Sequence, residues 1–584
     1  MSRAGSIDWC CMPRLDSPSV FGRILDWDAG GFCQIVPKGD HRVSRRYLED
    51  TLVLETTFTA GDAEVRLLDA FTMRQGGRER PHRQVVRVVE GIRGEVELEV
   101  RVAPRFDYGD IRPWIRDAGG DAFAAIGGNE GLLIYGDVSL EIEDRHDLAG
   151  SVSVGEGHRV RLSYQFVPPE NLDRHDPVDV PDADELDRRL DETVAWWRGW
   201  VQDSDRWPES WRDAVQHSAL VLKGLTNPRT GAIAAAATTS LPEVDGGENN
   251  WDYRASWIRD STWAVRALGE LGYEAEADGF RRFSERSAAG STEDLQVMYG
   301  LGGEHRLGET HLEDLEGYRG AKPVRVGNIA ARQQQHDVYG ELVDLAWRWH
   351  ARGHTPDEDY RRFLVDLVEE AARRWQKPDS GLWELRGDPR HYVHSKVMCW
   401  AALDHGIRLA EDMGIEAPID RWAEVRDEIR QAVEEKGYDE DRGVFIRAFD
   451  TPEMDAALLL LPRVWFVAWD DDRMVRTTDA VRKELDAGGL LYRFRWPHGE
   501  PEEGAFLPCA FWLVECLVRQ GRQDEAEEVF ERASSMANDL GLFSEEVDPH
   551  TGDLLGNFPQ GLSHLSHISA ALALTGVDVD GVPD

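Results

Sequence analysis

Apolar side chains keep two different rhythms along this chain. From about residue 6 to 170 they alternate with polar ones in short runs, Thr51 to Thr59, Ala63 to Leu68, Gln84 to Val89, Val96 to Val102 and Arg159 to Phe166, separated by Gly, Asp and Pro. A period of two turns one face of a strand to a core and the other to water, so residues 1–170 are expected to form an N-terminal antiparallel β-sandwich. The stretch 167–183, VPPENLDRHDPVDVPDA, has no period and is rich in Pro and Asp, which predicts a linker. Leu186, Leu190, Val194, Trp197 and Val201 then recur every three or four residues. That stripe predicts a helix leading into a second domain, so 171–206 reads as linker with helix.

Over 207–584 the helical period persists. Tyr360, Phe363, Leu364, Leu367, Val368, Ala371, Ala372 and Trp375 make an unbroken face, and Thr355, Pro356 and Glu358 ahead of it read as a capping box with Pro at the first helical position. Further stripes cover roughly 211–226, 257–272, 330–352, 395–413, 419–436, 473–486, 505–520, 523–538 and 561–575. Roughly ten to twelve helices, loosely paired and without a fixed-length repeat, point to a helical barrel or toroid.

Charge narrows the partners. The chain has 67 Lys+Arg against 109 Asp+Glu, a formal charge of −42. A field of that sign repels phosphate and excludes nucleic acid and anionic membrane surfaces. Only seven of the cations are lysines, Lys38, Lys223, Lys322, Lys377, Lys396, Lys436 and Lys483; the other 60 are arginines. Short, strongly hydrated carboxylates with few apolar lysine stems suit concentrated salt, where self-repulsion is screened. The composition points to a halophilic source, with a GC-rich genome as the plainer alternative. Cys10, Cys11, Cys33, Cys399, Cys509 and Cys516 form no CxxC pair and no zinc-like spacing, and read as buried thiols in a reducing compartment. Neither an apolar leader core nor a window of about 18 apolar residues is present, so a cytoplasmic protein is expected.

Five long segments mix aromatic residues with Arg, Asp, Glu, Asn or Gln: Thr238 to Asp260, Tyr318 to Asn328, Asp379 to Arg390, Tyr492 to Phe506 and Phe543 to His567. Aromatic faces cover the CH patches of a pyranose while charged and amide groups bind its hydroxyls, so these loops are candidate sugar sites. Cleaving a glycosidic bond needs one protonated and one ionised carboxyl group. Glu384, after Leu382 and Trp383, suits the acid because apolar neighbours disfavour its charged form; Glu545, among Ser, Asp and His, suits the base. Composition alone does not single these two out. His391, His394, His564 and His567 lack metal-ligand spacing, and no metal or cofactor is expected.

Seven blocks occur in an order that resembles glycoside hydrolase family 15, the family of glucoamylases, glucodextranases and prokaryotic trehalases. They are SIDWCCMPRLDSPSVF from Ser6, TGAIAAAATTSLPE, NWDYRASWIRD, GYRGAKPVRVGN, SGLWELRGDPRHYVHSKVMCWAALD, EEGAFLPCAFWLVE and LFSEEVDPHTGDLLGNFPQGLSHL. The resemblance implies an (α/α)6 barrel behind the sandwich and inverting removal of glucose from a non-reducing end. It places the general acid at Glu384 and the general base at Glu545, with the adjacent Glu546 one register away. Tyr253, Trp257, Arg259 and Asp260 would hold the innermost glucose, Trp383 would wall it and Arg493 would reach it. Glu502 and Glu503, rival acids by position, read as subsite or structural residues. Ala255 and Ser256 stand where many relatives carry bulkier residues, in the outer subsite where maltose and trehalose differ. The expected activity is a glucoamylase-type α-glucoside hydrolase, with α,α-trehalase as the alternative. A non-catalytic sugar-binding protein is a third reading, opposed by retention of both Glu384 and Glu545. Nothing in the chain sets an oligomeric state.

A glucoside is neutral, so the −42 charge does not serve substrate steering and is read as a surface suited to salt. Prolonged dialysis into dilute buffer should then unfold or inactivate the protein, followed by circular dichroism and turnover; full activity after such dialysis would remove the halophilic reading.

Overall fold

A computed structural model describes residues 1–172, 180–288, 292–496 and 503–576. Part of the expected linker, 173–179, lies outside them, as does Glu502. The chain divides into two compact units: Met1–Ser204 with His311–Val324 and Asp539–Gly541, and Asp205–Thr310 with Arg325–Asn538 and the chain from Leu542 onward.

In the first unit two antiparallel sheets share one core. One holds Ser6–Ile7, Phe32–Pro37, Glu95–Ala103, Asp147–Gly155 and Leu140–Glu143 side by side in that order. The other holds Trp114–Gly119, Ala122–Gly127, Glu130–Gly136, Arg159–Phe166, Gln84–Arg93, Ala63–Phe71, Leu54–Ala60 and Arg42–Tyr47. Strand Glu95–Ala103 shows the cause: Val96, Leu98, Val100 and Val102 are buried, while Glu95, Glu97, Glu99 and Arg101 between them are exposed. Its inward residues meet Val65, Leu67, Val85, Val89, Leu132 and Ile134 of the other sheet.

Gln84–Arg93 is buried on both faces because helix α1, Ala183–Gln202, packs on that sheet. Asp182 caps α1 by accepting from the Glu185 amide at 2.8 Å, Arg189 donates to Gln84 at 2.8 Å, and the Met73 amide donates to Thr193 Oγ1 at 2.9 Å. The stripe of α1 therefore faces the sandwich, and the helix belongs to the first unit rather than leading into the second.

The second unit alternates two kinds of helix. α2 (Arg212–Leu225), α4 (Glu274–Ser287), α6 (Glu358–Arg374), α8 (Ile419–Lys436), α9 (Asp472–Glu484) and α11 (Gln523–Ser534) bury one side only. Between them α3 (Ile258–Glu270), α5 (Asp337–Ala351), α7 (Val393–Met413), a 3₁₀ segment (Ala456–Val464), α10 (Leu507–Arg519) and α12 (Gly561–Leu574) are buried almost all round. Each of these six touches the next, and α12 returns to α3. A closed inner ring with an outer helix per inner one is the (α/α)6 barrel.

Several boundaries differ from expectation. The helix at 358 is capped by Asp357, whose carboxylate accepts from the Tyr360 amide at 2.9 Å; Thr355 lies ahead of Pro356, outside the helix. The stripe at 330–352 divides into a 3₁₀ turn, Ile329–Arg332, and α5. α4 and the 3₁₀ segment were not anticipated. The first is mostly polar with three apolar anchors, and the second is apolar but for Arg463, with Pro462 inside it, so neither shows a clean period.

The sandwich encloses one ion pair. Arg87 donates to Asp69 Oδ1 at 2.6 Å and to the carbonyls of Cys33 and Gly5 at 2.7 Å each. Removing one partner strands a buried charge, so Asp69→Ala should cost about 3–5 kcal/mol, read as a lower urea midpoint of the sandwich transition, with Asp69→Asn intermediate.

Candidate active site

The inner ring leaves one end of each helix for a site, and it is the N-terminal end that carries the chemistry. Ser256–Trp257 pairs with Met298–Tyr299 immediately before α3, which sets Arg259 and Asp260 in the helix's first turn. A carboxylate there meets the positive end of the helix dipole. Phe506 precedes α10, and Gln560 caps α12 by accepting from the Leu562 amide. These residues line a single cavity of about 560 Å³.

All eight predicted site residues, Tyr253, Trp257, Arg259, Asp260, Trp383, Glu384, Arg493 and Glu545, line that cavity. Four of the five candidate loops supply most of its wall. The second supplies Asn328, while its stretch Tyr318–Val324 belongs to the first unit.

Glu384 sits in a tight loop closed by the bridge between Asp379 and Arg390. Gly381 turns it with φ +68°, where a side chain would meet the Tyr392 ring, and Glu384 itself is left-handed at φ +58°. A non-glycine residue held there is strained, a cost that clusters at functional sites. Its Oε1 accepts from Trp257 Nε1 at 2.6 Å and lies 3.7 Å from Arg259, while Gln333 donates to its backbone carbonyl at 2.9 Å. Burial raises its pKa; Arg259 and the indole oppose the rise. Arg259 is fixed by an ion pair to Asp260 at 2.9 Å and by donating to the Leu382 carbonyl at 2.9 Å. Trp383 donates to Asp455 at 2.8 Å and stacks on Trp512.

Opposite registers separate the two neighbouring glutamates. Glu546 opens the strand Glu546–Val547, which pairs with Ala505–Phe506; it is fully buried and accepts from the Gly504 amide at 2.8 Å. Glu545 turns the other way and lines the cavity, and its buried Oε2 has no hydrogen-bond partner. Gly556 lies against it; a Cβ there would come within 3.3 Å of that oxygen.

Behind Glu545 lies a group not anticipated from the sequence. Arg493 pairs bidentately with Glu503, donating to Oε1 at 2.7 Å, and lies 3.9 Å from Glu243 and 3.7 Å from Glu546. Tyr253 donates its hydroxyl to Glu243 at 3.1 Å. Glu243 stands in the first candidate loop without an aromatic or basic neighbour in sequence to mark it. Burial pushes Glu243 up to about 7, and burial together with Glu243 holds Glu545 well above the usual carboxylate range. One guanidinium cannot offset four buried carboxylates, so protons are retained. Carboxylate oxygens of Glu243, Glu503 and Glu546 approach within 4.8 Å of one another, a spacing a cation could use; Arg493 already pairs with all three. The four histidines stand apart from that group: His564 and His567 share Ser218, His391 stacks on Phe449, and His394 is buried.

Residues 209–572 match the family described as glycosyl hydrolases family 15, and residues 1–157 match the trehalase-like N-terminal family. The chain belongs to glycosyl hydrolases family 15. It is therefore an O-glycosyl hydrolase acting on a sugar. A relative named trehalase from Mycobacterium tuberculosis is 40% identical, covering 98% of this chain and 87% of that protein; another from Thermoplasma volcanium is 35% identical, covering 97% and 90%. A bacterial glucoamylase complexed with acarbose has the same fold, with a TM-score of 0.74 at 12% identity over 99% of this chain and 92% of that one.

Glu243→Gln removes the negative charge that, after burial, does most to raise Glu545. The Glu545 pKa should then fall, so Glu545 stays ionised to lower pH than in the parent protein. Carboxyl titration by ¹³C NMR of glutamate-labelled protein checks this; an unchanged or raised Glu545 pKa would contradict the arrangement.

Proposed function

We propose that this family-15 hydrolase cleaves α,α-trehalose by single displacement. The observation that carries the substrate is the likeness to relatives named trehalase along nearly the whole of both chains. It favours trehalose over the glucoamylase-type activity expected from motifs, because those motifs serve the glucose subsite that both activities share. No helix among the described residues is long and apolar enough to cross a membrane, and the six buried thiols support a reducing, cytoplasmic setting.

Glu384, raised by burial, is the proton donor and gives its proton to the bridging oxygen as the C1–O bond breaks. Glu545 takes a proton from a water whose oxygen attacks C1 from the opposite side. The attacked sugar leaves as β-glucose and the departing sugar keeps its α configuration. Trp257, Arg259 and Asp260 hold the attacked ring beside the acid, and Trp383 and Tyr253 close its pocket. Glu545 lines the cavity and offers its carboxylate to the water.

Both catalytic carboxyls are raised, so both limbs of the pH–rate profile should lie above the ordinary carboxylate range. Activity requires Glu384 protonated and Glu545 ionised; because Glu545 is raised further than Glu384, activity falls as pH drops through the lower, Glu384, value and as pH rises through the higher, Glu545, value. In concentrated KCl, trehalose should yield equal initial α- and β-glucose by NMR, with maltose and isomaltose turned over far more slowly. Glu384→Gln or Glu545→Gln should each lower kcat by about 10²–10⁴-fold with the fold intact. Preference for maltose, or α-glucose alone, would overturn the reading.

A further inference from the structure

The wall beyond Glu384 contains a cationic platform that the steps above do not use. Arg386 follows the acid by two residues and lines the cavity together with Trp251. Its guanidinium lies 3.9 Å over the Trp251 ring, and Arg325 lies 4.2 Å from the same ring. Glu309 ties the two arginines, 3.0 Å from Arg386 Nη2 and 3.4 Å from Arg325 Nε. Arg325 is further anchored by donating to the carbonyls of Glu248 and Asn250 at 2.7 and 3.1 Å. Glu243, at the edge of the same indole, receives an indole hydrogen bond.

Arg386 is thus held flat by a ring on one side and a carboxylate at one end. Its side chain nevertheless stays 46% exposed, and Glu309 is its single carboxylate partner among the described residues. A guanidinium carries five N–H donors in a rigid fork. Among the described residues the remaining donors have no hydrogen-bond partner, which leaves them for a ligand in the cavity.

Direction follows from the chemistry of the neighbouring acid. Glu384 must reach the bridging oxygen, so the glucose ring bound by Arg259 and Asp260 lies to one side of it and the departing group to the other. Arg386 contacts Trp251 and Glu309, whereas Arg259 contacts Asp260, Glu384 and the Leu382 carbonyl, so the two cations share none of these partners. We infer that Arg386, stacked on Trp251 and braced by Glu309, binds vicinal hydroxyls of the departing glucose and so determines specificity for a disaccharide. This rests on the trehalose reading for the identity of the departing group.

α-D-Glucosyl fluoride separates the two ideas because its leaving group is fluoride. Arg386→Ala should lower kcat/KM for trehalose about 10- to 100-fold, the loss of hydrogen bonds from a charged donor, while kcat/KM for the fluoride changes less than about threefold. Arg386→Lys keeps the charge but loses the fork and should recover only part of the trehalose activity. Glu309→Gln, which removes the brace without touching the cavity wall, should show the same substrate-selective loss in smaller measure. Equal losses on both substrates, or an unimpaired Arg386→Ala, would overturn the inference. A parent enzyme that cleaves the fluoride and maltose but not trehalose would overturn the trehalose reading alone; the ratio of maltose to fluoride activity in Arg386→Ala would then decide Arg386.

Discussion

Helices that are buried on nearly every side need neighbours all round, and they can find them by surrounding one another. α3, α5, α7, the 3₁₀ segment, α10 and α12 do this in a closed ring, and the half-polar helices between them shield its outside. Once the ring closes, the sides of the inner helices are committed to packing. The polar groups that line the cavity come mainly from the helix ends and from the loops that join them. The N-terminal ends of α3, α10 and α12 meet at the cavity, so aligned peptide dipoles contribute positive potential where the carboxylates concentrate.

That potential and Arg493 make possible a density of acids that would otherwise be intolerable. Glu243, Glu503, Glu545 and Glu546 gather around a single guanidinium, and Asp260 and Glu384 share Arg259. The two groups differ in how their carboxyls are held. Glu384 is held by an indole N–H and an arginine in a loop strained to a positive φ, whereas one oxygen of Glu545 is buried with no partner.

The sandwich solves a different problem. Its central strand Gln84–Arg93 carries Arg87 into the core, where Asp69 and two backbone carbonyls satisfy it, and the opposite face is sealed by α1. That helix shows the limit of periodicity: the stripe Leu186, Leu190, Trp197 and Val201 announces an amphipathic helix, but a stripe does not say which surface receives it.

Much was legible because it is local. Alternation over Glu95–Ala103 specified a strand with one buried face, unbroken apolar faces specified helices, and the order of motifs specified the family and the loops that reach the cavity. Glu384 was legible from its Leu-Trp context, since apolar neighbours raise a carboxyl wherever they fold around it. What depended on distant segments was not legible. The resemblance placed the base at Glu545 with Glu546 one register away, and the strand pairing with Ala505–Phe506 turns the two side chains to opposite faces and brings Glu545 to the cavity. Glu243, Trp251 and Arg386 look like ordinary loop residues until Glu309, Arg325 and Arg493 arrive from far along the chain. The sequence by itself determined most of the elements, the family and most of the loops that line the cavity, because backbone period and neighbouring residues carry that information. Only the tertiary structure decided which carboxyl faces the cavity and which cations stand beside it, because charge and hydrogen bonding act through space between residues whose separation in sequence says nothing of their distance.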